Sequence, residues 1–235
     1  IMLIITHRGL DPSKENYFVE STLEAFRDQL GRGFGLEFDL MLTKDKKIVV
    51  IHDKDLKRIS QGKDTRRIEE LTQDELCQSV FMGCHIAPLD ILLSLIKEKS
   101  AKDSVSAIHL KHHCQNSEFL EIFLEYIKDI EYEKFIIFDV TLETATFLKQ
   151  RNQYLQLAAS VAHEYDTERY NSAAGGTLTS LEIFLANADL FTWAWLDEWD
   201  LLDKNGGKKM LYTKDVFKRI QDAGIKIALV SPELH

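Results

Sequence analysis

Eight short runs rich in Val, Ile, Leu and Phe alternate with segments of helical spacing, and this order constrains the fold more than any other feature of the chain. The runs are "MLIIT", "GLEFDLML", "KIVVIH", "VSAIHL", "KFIIFDV", "LQLAASVA", "LFTWAWL" and "IKIALV". They are too short to stand as helices and are bounded by turn residues or charges, so they read as strands. Between them, segments such as "ESTLEAFRDQLGRG", "SEFLEIFLEYIKDI" and "TKDVFKRIQDAG" carry apolar residues three and four apart, several after a Ser or Thr cap. Strand-then-helix order predicts a parallel sheet with right-handed crossovers, either an open doubly wound sheet or a closed barrel.

One pair of strands breaks the pattern. Only "TKDKK" separates "GLEFDLML" from "KIVVIH", too little chain for a crossover helix, so these two form a hairpin. Residues from about 53 to 85 then make a polar excursion, read as an insertion over one end of the sheet. A chain of 235 residues suits one α/β domain, and 1–235 is expected to be one.

Chemistry concentrates at the tips of the early strands. Glu37 and Asp39 are two apart on a strand and project from the same face, where two like charges repel unless a cation or proton sits between them. A divalent metal resolves that repulsion, and an exposed polar edge is the plainer alternative. His7 and Arg8 close the first apolar run and His52 closes the third. In parallel α/β folds such positions lie at the carboxyl end of the sheet, where sites are built. A single histidine there reads equally well as a structural residue, whereas a set with an arginine and an acid pair supplies acid, base, Lewis acid and anion clamp.

The segment "HRG…ESTLEAF…GLEFDLMLTKDKKIVVIHDKDLKRIS", continuous from His7 to Arg58, resembles the glycerophosphodiester phosphodiesterases, whose signature runs H-R-G, P-E-N-T-L-x-A-F, E-x-D-V, T-x-D and V-V-x-H-D-x-x-L-x-R. "IAPLDILLSLI" and "AIHLK" resemble the family's I-P-T-L-x-E-x-L helix and I-E-I-K strand, and from about residue 130 the likeness is in element order alone. The resemblance implies a TIM (β/α)8-type barrel with a small insertion after the second-strand hairpin. It also implies metal-dependent hydrolysis of a glycerophosphodiester to glycerol 3-phosphate and an alcohol. His7 and His52 would be the acid–base pair, Arg8 and Lys111 phosphate contacts, Glu20 a residue ordering the mouth of the site, and Glu37 and Asp39 metal ligands for Mg²⁺ or Ca²⁺.

Departures from the signature carry their own expectations. His109 stands where the family has its third acidic ligand. It is expected to ligate and to move metal preference towards Mn²⁺, Zn²⁺ or another transition metal, with a weakened site or a hydrogen bond alone as the plainer alternative. "VEST" replaces P-E-N-T, with Ser21 in place of asparagine. Trp195, in the aromatic run "LFTWAWL", reads either as a wall for the substrate's alcohol or as core filling. Seven barrel strands are counted beside the hairpin strand, so the last βα unit is expected to be missing or truncated.

A net charge of −9 without a basic block argues against nucleic acid or an anionic membrane as partner and leaves small anionic substrates possible, for which the resemblance implies a phosphodiester. Three cysteines without CxxC spacing read as free thiols in a reducing compartment, and the absence of an apolar run of membrane-spanning length points to the cytosol with no stable membrane association. Two further functions stay open: a sphingomyelinase-D-like lyase acting on phospholipid head groups, and a weakened protein that only binds phosphodiesters.

Overall fold

In the computed structural model, residues 3–164, 166–167, 170–171, 176–197 and 211–230 are described. The chain divides into two compact units, Ile1–His109 with Asn116–Phe135, and Leu110–Gln115 with Ile136–His235. It is mixed α/β, as strand-then-helix order predicts.

In the first unit, strand β1 (Ile5–His7) leads through a loop to helix α1 (Leu23–Gly31), which starts where the Thr22 hydroxyl accepts the Ala25 N–H. The helix buries Ala25, Phe26, Gln29 and Leu30, one stripe of its surface, with the Phe26 ring edge-on to Phe38, centroids 6.2 Å apart. Strand β2 (Gly35–Leu42) is the centre of this unit. Its first residues pair in parallel with β1, the middle ones in parallel with Ser106–His109, and its end runs antiparallel to β3 (Ile48–Val50). The pentapeptide between β2 and β3 therefore makes the expected hairpin. It is closed by Thr43, whose hydroxyl donates to Asp45 and accepts the Lys47 N–H.

The excursion after β3 is less polar in space than in sequence. Helix α2 (Gln73–Gln78), the ribbon of β4 (Val80–Phe81) and β5 (Cys84–His85), and β6 (Ala87–Pro88), which pairs with β3, follow one another. Leu56, Ile59, Ile68, Leu71, Leu76 and Phe81 are buried together with Met41, Val49 and Ile51 of the hairpin. Helix α3 (Leu89–Lys99) returns the chain to β7 (Ser106–His109), and helix α4 (Ser117–Ile127) is capped by Asn116.

Gly35 opens β2 at a point of forced proximity, because a Cβ there would stand 1.8 Å from the Val105 carbonyl oxygen. Gly35→Ala is therefore expected to destabilise the protein by about 3 kcal/mol or more, since backbone rather than a flexible side chain must yield. Urea unfolding checks this, and a loss below about 1 kcal/mol would contradict the packing.

In the second unit, β8 (Phe135–Phe138), helix α5 (Leu142–Arg151), β9 (Ala158–Ala162), β10 (Thr179–Ser180), helix α6 (Leu181–Ala186), β11 (Trp193–Asp197), helix α7 (Lys214–Asp222) and β12 (Lys226–Leu229) alternate. Strand β9 lies between β10 and β11, and β11 pairs with β12, all parallel. Gln115 ties strand ends together, donating to the carbonyls of Leu110 and Asp139 and accepting from the Thr141 N–H. No helix among the described residues is long and apolar enough to cross a membrane. The terminal segment 231–235 lies outside the described residues.

Candidate active site

Strand β2 delivers two carboxylates. Side chains alternate along it, so Leu36, Phe38 and Leu40 take one face and Glu37 and Asp39 the other. Glu37 is 6% exposed and Asp39 0%. Burial, and then the neighbouring charge of Asp39, push the Glu37 carboxyl well above the usual carboxylate range. Strand β7 brings a partner: His109 stands opposite Asp39 in the parallel ladder, with Nδ1 2.8 Å from Asp39 Oδ1 and 3.9 Å from Glu37 Oε1. One ligand atom from each of Glu37, Asp39 and His109 lies within 4.8 Å of the others. Two buried, mutually repelling carboxylates and an imidazole nitrogen are a donor set that fits a divalent ion, because the ion's charge relieves the repulsion that raises Glu37.

The tip of β1 wraps around this group. His7 is opposite Glu37 in register, with Nε2 3.9 Å from Glu37 Oε2. Arg8 and Gly9 take left-handed backbone, φ 52° and 71°, turning the chain sharply at the strand end. The turn lets the Arg8 N–H donate to Glu37 O at 3.0 Å and lie 3.2 Å from Glu37 Oε2. A side chain at residue 9 would place its Cβ 3.0 Å from the Phe26 ring, so the glycine serves both conformation and space. The Arg8 guanidinium then spans two acids, with Nε 3.3 Å from Asp39 Oδ2 and Nη1 donating to Glu20 Oε1 at 3.3 Å.

Past the end of β3, His52 places Nδ1 2.7 Å from Asp53 Oδ1. Asp53 Oδ2 accepts from Arg58 Nε at 2.6 Å, and Arg58 Nη2 donates to Glu20 Oε1 at 2.6 Å. Burial opposes the charged form of both acids, yet the Arg58 contact and the neighbouring charges hold Asp53 and Glu20 below their usual values. His7, Arg8, Glu20, Glu37, Asp39, His52 and His109 thus fall in one connected neighbourhood of the first unit. The sequence places Asp53 beside His52 at the strand tip but gives neither it nor Arg58 a role in the site. Ser21, at the signature's asparagine position, is 2% exposed and left-handed at φ 57°, a conformation asparagine tolerates better.

Lys111 and Trp195 belong to the second unit. Half-buried Lys111 accepts the Cys114 N–H at the start of a tight turn, His112–Cys114, whose two histidines are exposed. Trp195 stacks on Phe138, with centroids 4.0 Å apart and planes 15° from parallel.

Burial, and then the Arg8 charge, hold the His7 imidazole down at about 4, against 6.5 for an ordinary histidine. Below pH 6.5 the unfolded chain therefore takes up a proton that the folded one refuses, so this contribution to stability is complete above 6.5 and lost as pH falls towards 4. In chelator-treated protein, the acid-induced loss of stability is expected to be up to about 3 kcal/mol smaller in His7→Asn than in wild type. Urea unfolding at about pH 7 and about pH 4.5 checks it, and equal losses would contradict the assignment.

A family model described as the glycerophosphoryl diester phosphodiesterase family matches residues 7–229. Over 105 residues the chain is 35% identical to a glycerophosphodiester phosphodiesterase of Bacillus altitudinis, a stretch covering 42% of this chain and 41% of that protein. The chain spans about half the length of the curated relatives it matches, 41% and 56%. Among solved structures, a glycerophosphodiester phosphodiesterase from Agrobacterium tumefaciens superposes with a TM-score of 0.64 at 16% identity, covering 97% of this chain and 86% of that one. A phosphodiesterase from Oleispira antarctica, solved in complex with the product sn-glycerol-3-phosphate, superposes at 0.60 and 14% identity, covering 97% and 92%. These neighbours are TIM-barrel-type α/β folds.

Proposed function

The chain belongs to the glycerophosphoryl diester phosphodiesterase family, and from that premise we propose that residues 1–235 act as one domain that hydrolyses glycerophosphodiesters to glycerol 3-phosphate and an alcohol. The observation that carries the reading is the gathering of His7, Arg8 and the Glu20–Arg58–Asp53–His52 chain of contacts around Glu37, Asp39 and His109. The product complex of the Oleispira antarctica relative supports a small phosphodiester as substrate.

Glu37, Asp39 and His109 would hold a divalent ion, which when bound supplies positive charge against the phosphoryl oxygens. Arg8, fixed between Glu20 and Asp39, aims a guanidinium at the charge that grows as phosphorus becomes five-coordinate. His7, neutral at pH 7 because its imidazole is held at about 4, accepts the proton of the glycerol 2-hydroxyl. That oxygen bonds to phosphorus while the bond from phosphorus to the alcohol breaks. His52 enters this step as the imidazolium, its Nδ1–H donating to Asp53, and gives its Nε2 proton to the departing alcohol, leaving a neutral ring. Water then opens the cyclic phosphate with roles exchanged, His52 taking the water's proton and His7 returning its own to the 2-oxygen. The resemblance alone would make Lys111 a second phosphate contact, and Trp195 stays open between a wall for the alcohol and core filling.

The test is to incubate the protein with glycerophosphocholine and glycerophosphoethanolamine under Mg²⁺, Ca²⁺, Mn²⁺, Zn²⁺ and chelator, following glycerol 3-phosphate. Turnover with at least one ion and none with chelator is expected, and no turnover under any ion overturns the reading. His109→Glu exchanges a borderline nitrogen for a hard anionic oxygen, so the preferred ion should shift towards Mg²⁺ or Ca²⁺. An unchanged order of ions would remove His109 from the ligand set.

A further inference from the structure

The mechanism gives no part to Arg58. This residue sits on the excursion after β3, between Leu56 and Ile59, which are buried at 0% and 5% in the cluster that also holds Ile51. Those two side chains anchor the turn, and its backbone is tied by Leu56 N–H to Arg66 O and Ser60 N–H to Leu56 O. From this base the guanidinium meets two acids at once, Asp53 Oδ2 through Nε and Glu20 Oε1 through Nη2, both at 2.6 Å. Each acid is also engaged by a site side chain: Asp53 Oδ1 by His52 Nδ1 at 2.7 Å, and Glu20 Oε1 by Arg8 Nη1 at 3.3 Å.

As an ion pair the contact would contribute little, because the Arg58 side chain is 48% exposed. Its geometric consequence is larger. A carboxylate held at one oxygen turns freely about its last torsion, whereas Asp53 is held at both oxygens by partners on different sides, which fixes its plane and the ring of His52. Glu20 receives two guanidinium groups, and they locate the end of Arg8. A rigid planar fork imposes this, and a single ammonium does not.

We propose that Arg58 is a positioning residue for the phosphodiester reaction, its guanidinium bracing Asp53 against Glu20 so that the His52 ring and the Arg8 guanidinium are aimed together. The proposal rests on the phosphodiesterase reading, and Arg58 itself touches no reacting atom.

The experiment compares wild type, Arg58→Ala and Arg58→Lys on glycerophosphocholine with the preferred ion. In Arg58→Ala, kcat is expected to fall about 10- to 100-fold, the range for partners that orient site residues, with KM changed by less than about 3-fold. Arg58→Lys keeps the charge but reaches one acid at a time, so it should recover only part of the loss. Added guanidinium chloride should restore Arg58→Ala and leave His52→Ala unchanged, which a merely structural role would not produce. A kcat within about twofold of wild type in Arg58→Ala, or a loss that guanidinium does not relieve, overturns the proposal. If Arg58→Ala fails to fold, wild-type kcat in Arg58→Lys overturns it and a partial loss supports it. If wild type turns over no diester, the phosphodiesterase reading fails on its own. The brace is then read from the ¹⁵N resonance of His52 Nδ1, which Arg58→Lys should displace and which overturns the proposal if it stays in place.

Discussion

His52→Ala and His7→Ala should each lower kcat by two to four orders of magnitude, roughly the range that a positioned acid or base contributes to a proton transfer. The expectation is large because the proposed mechanism passes each proton through one of these two rings. Burial and Arg8 hold the His7 imidazole down at about 4, so in the proposed mechanism it would accept without first losing a proton. His52 contacts Asp53 at Nδ1, so replacement by alanine would remove both the proposed donor and the contact that aligns it. If the two act as one unit, the double variant should be little slower than the slower single one, because losing either already stops the concerted transfer. Steady-state kinetics with saturating ion check this, and near-normal kcat in either single variant would remove that histidine from the acid–base role.

Asp39→Asn is the second large effect. Asp39 is fully buried, 2.8 Å from His109 Nδ1 and paired with Arg8, so in the proposed mechanism it would link the ion's ligands to the phosphate contact. Asparagine keeps the shape but removes the charge that draws a cation. The rise in Tm that divalent ions give to wild type should disappear in the variant, because that rise measures binding to the folded state. Turnover should fall on the order of 10²- to 10³-fold, comparable to the loss of one electrostatic stabiliser of a transition state. Metal-free stability should change far less, since the substitution also relieves repulsion with Glu37. Titration calorimetry together with Tm shifts checks the pair of effects, and an undiminished ion-dependent Tm rise in Asp39→Asn would move the ion elsewhere.

Much of this arrangement was legible in the sequence because it lies on strands. Period-two alternation puts Glu37 and Asp39 on one face whatever the tertiary detail, and a five-residue link leaves β2 and β3 no choice but a hairpin. His109 was legible only through the resemblance, standing where the signature has its third acid, and the fold sets it opposite Asp39 on the neighbouring parallel strand. What escaped depends on turns. The bracing of Asp53 against Glu20 by Arg58 joins residues 38 positions apart through loop geometry that carries no period. The left-handed backbone of Arg8 and Ser21 left no mark, because arginine and serine are not residues that announce positive φ. The excursion read as polar because Leu56, Ile59, Ile68 and Leu71 are single apolar residues among charges, and only folding brings them into one cluster. Strand β10 is two residues long, below any length that alternation can reveal. In Trp195, the sequence reading left wall and filler open, and the ring's stacking on Phe138 occupies one of its faces.

The claim that the two histidines and the ligand group together break a phosphodiester at phosphorus is tested most directly by phosphorus NMR of glycerophosphocholine, incubated with the ion-loaded protein in ¹⁸O-water. The account predicts that the diester resonance gives way to glycerol 3-phosphate carrying one ¹⁸O on phosphorus, with unlabelled choline. A diester that persists while the ion is bound, or label that appears in the alcohol, would contradict it.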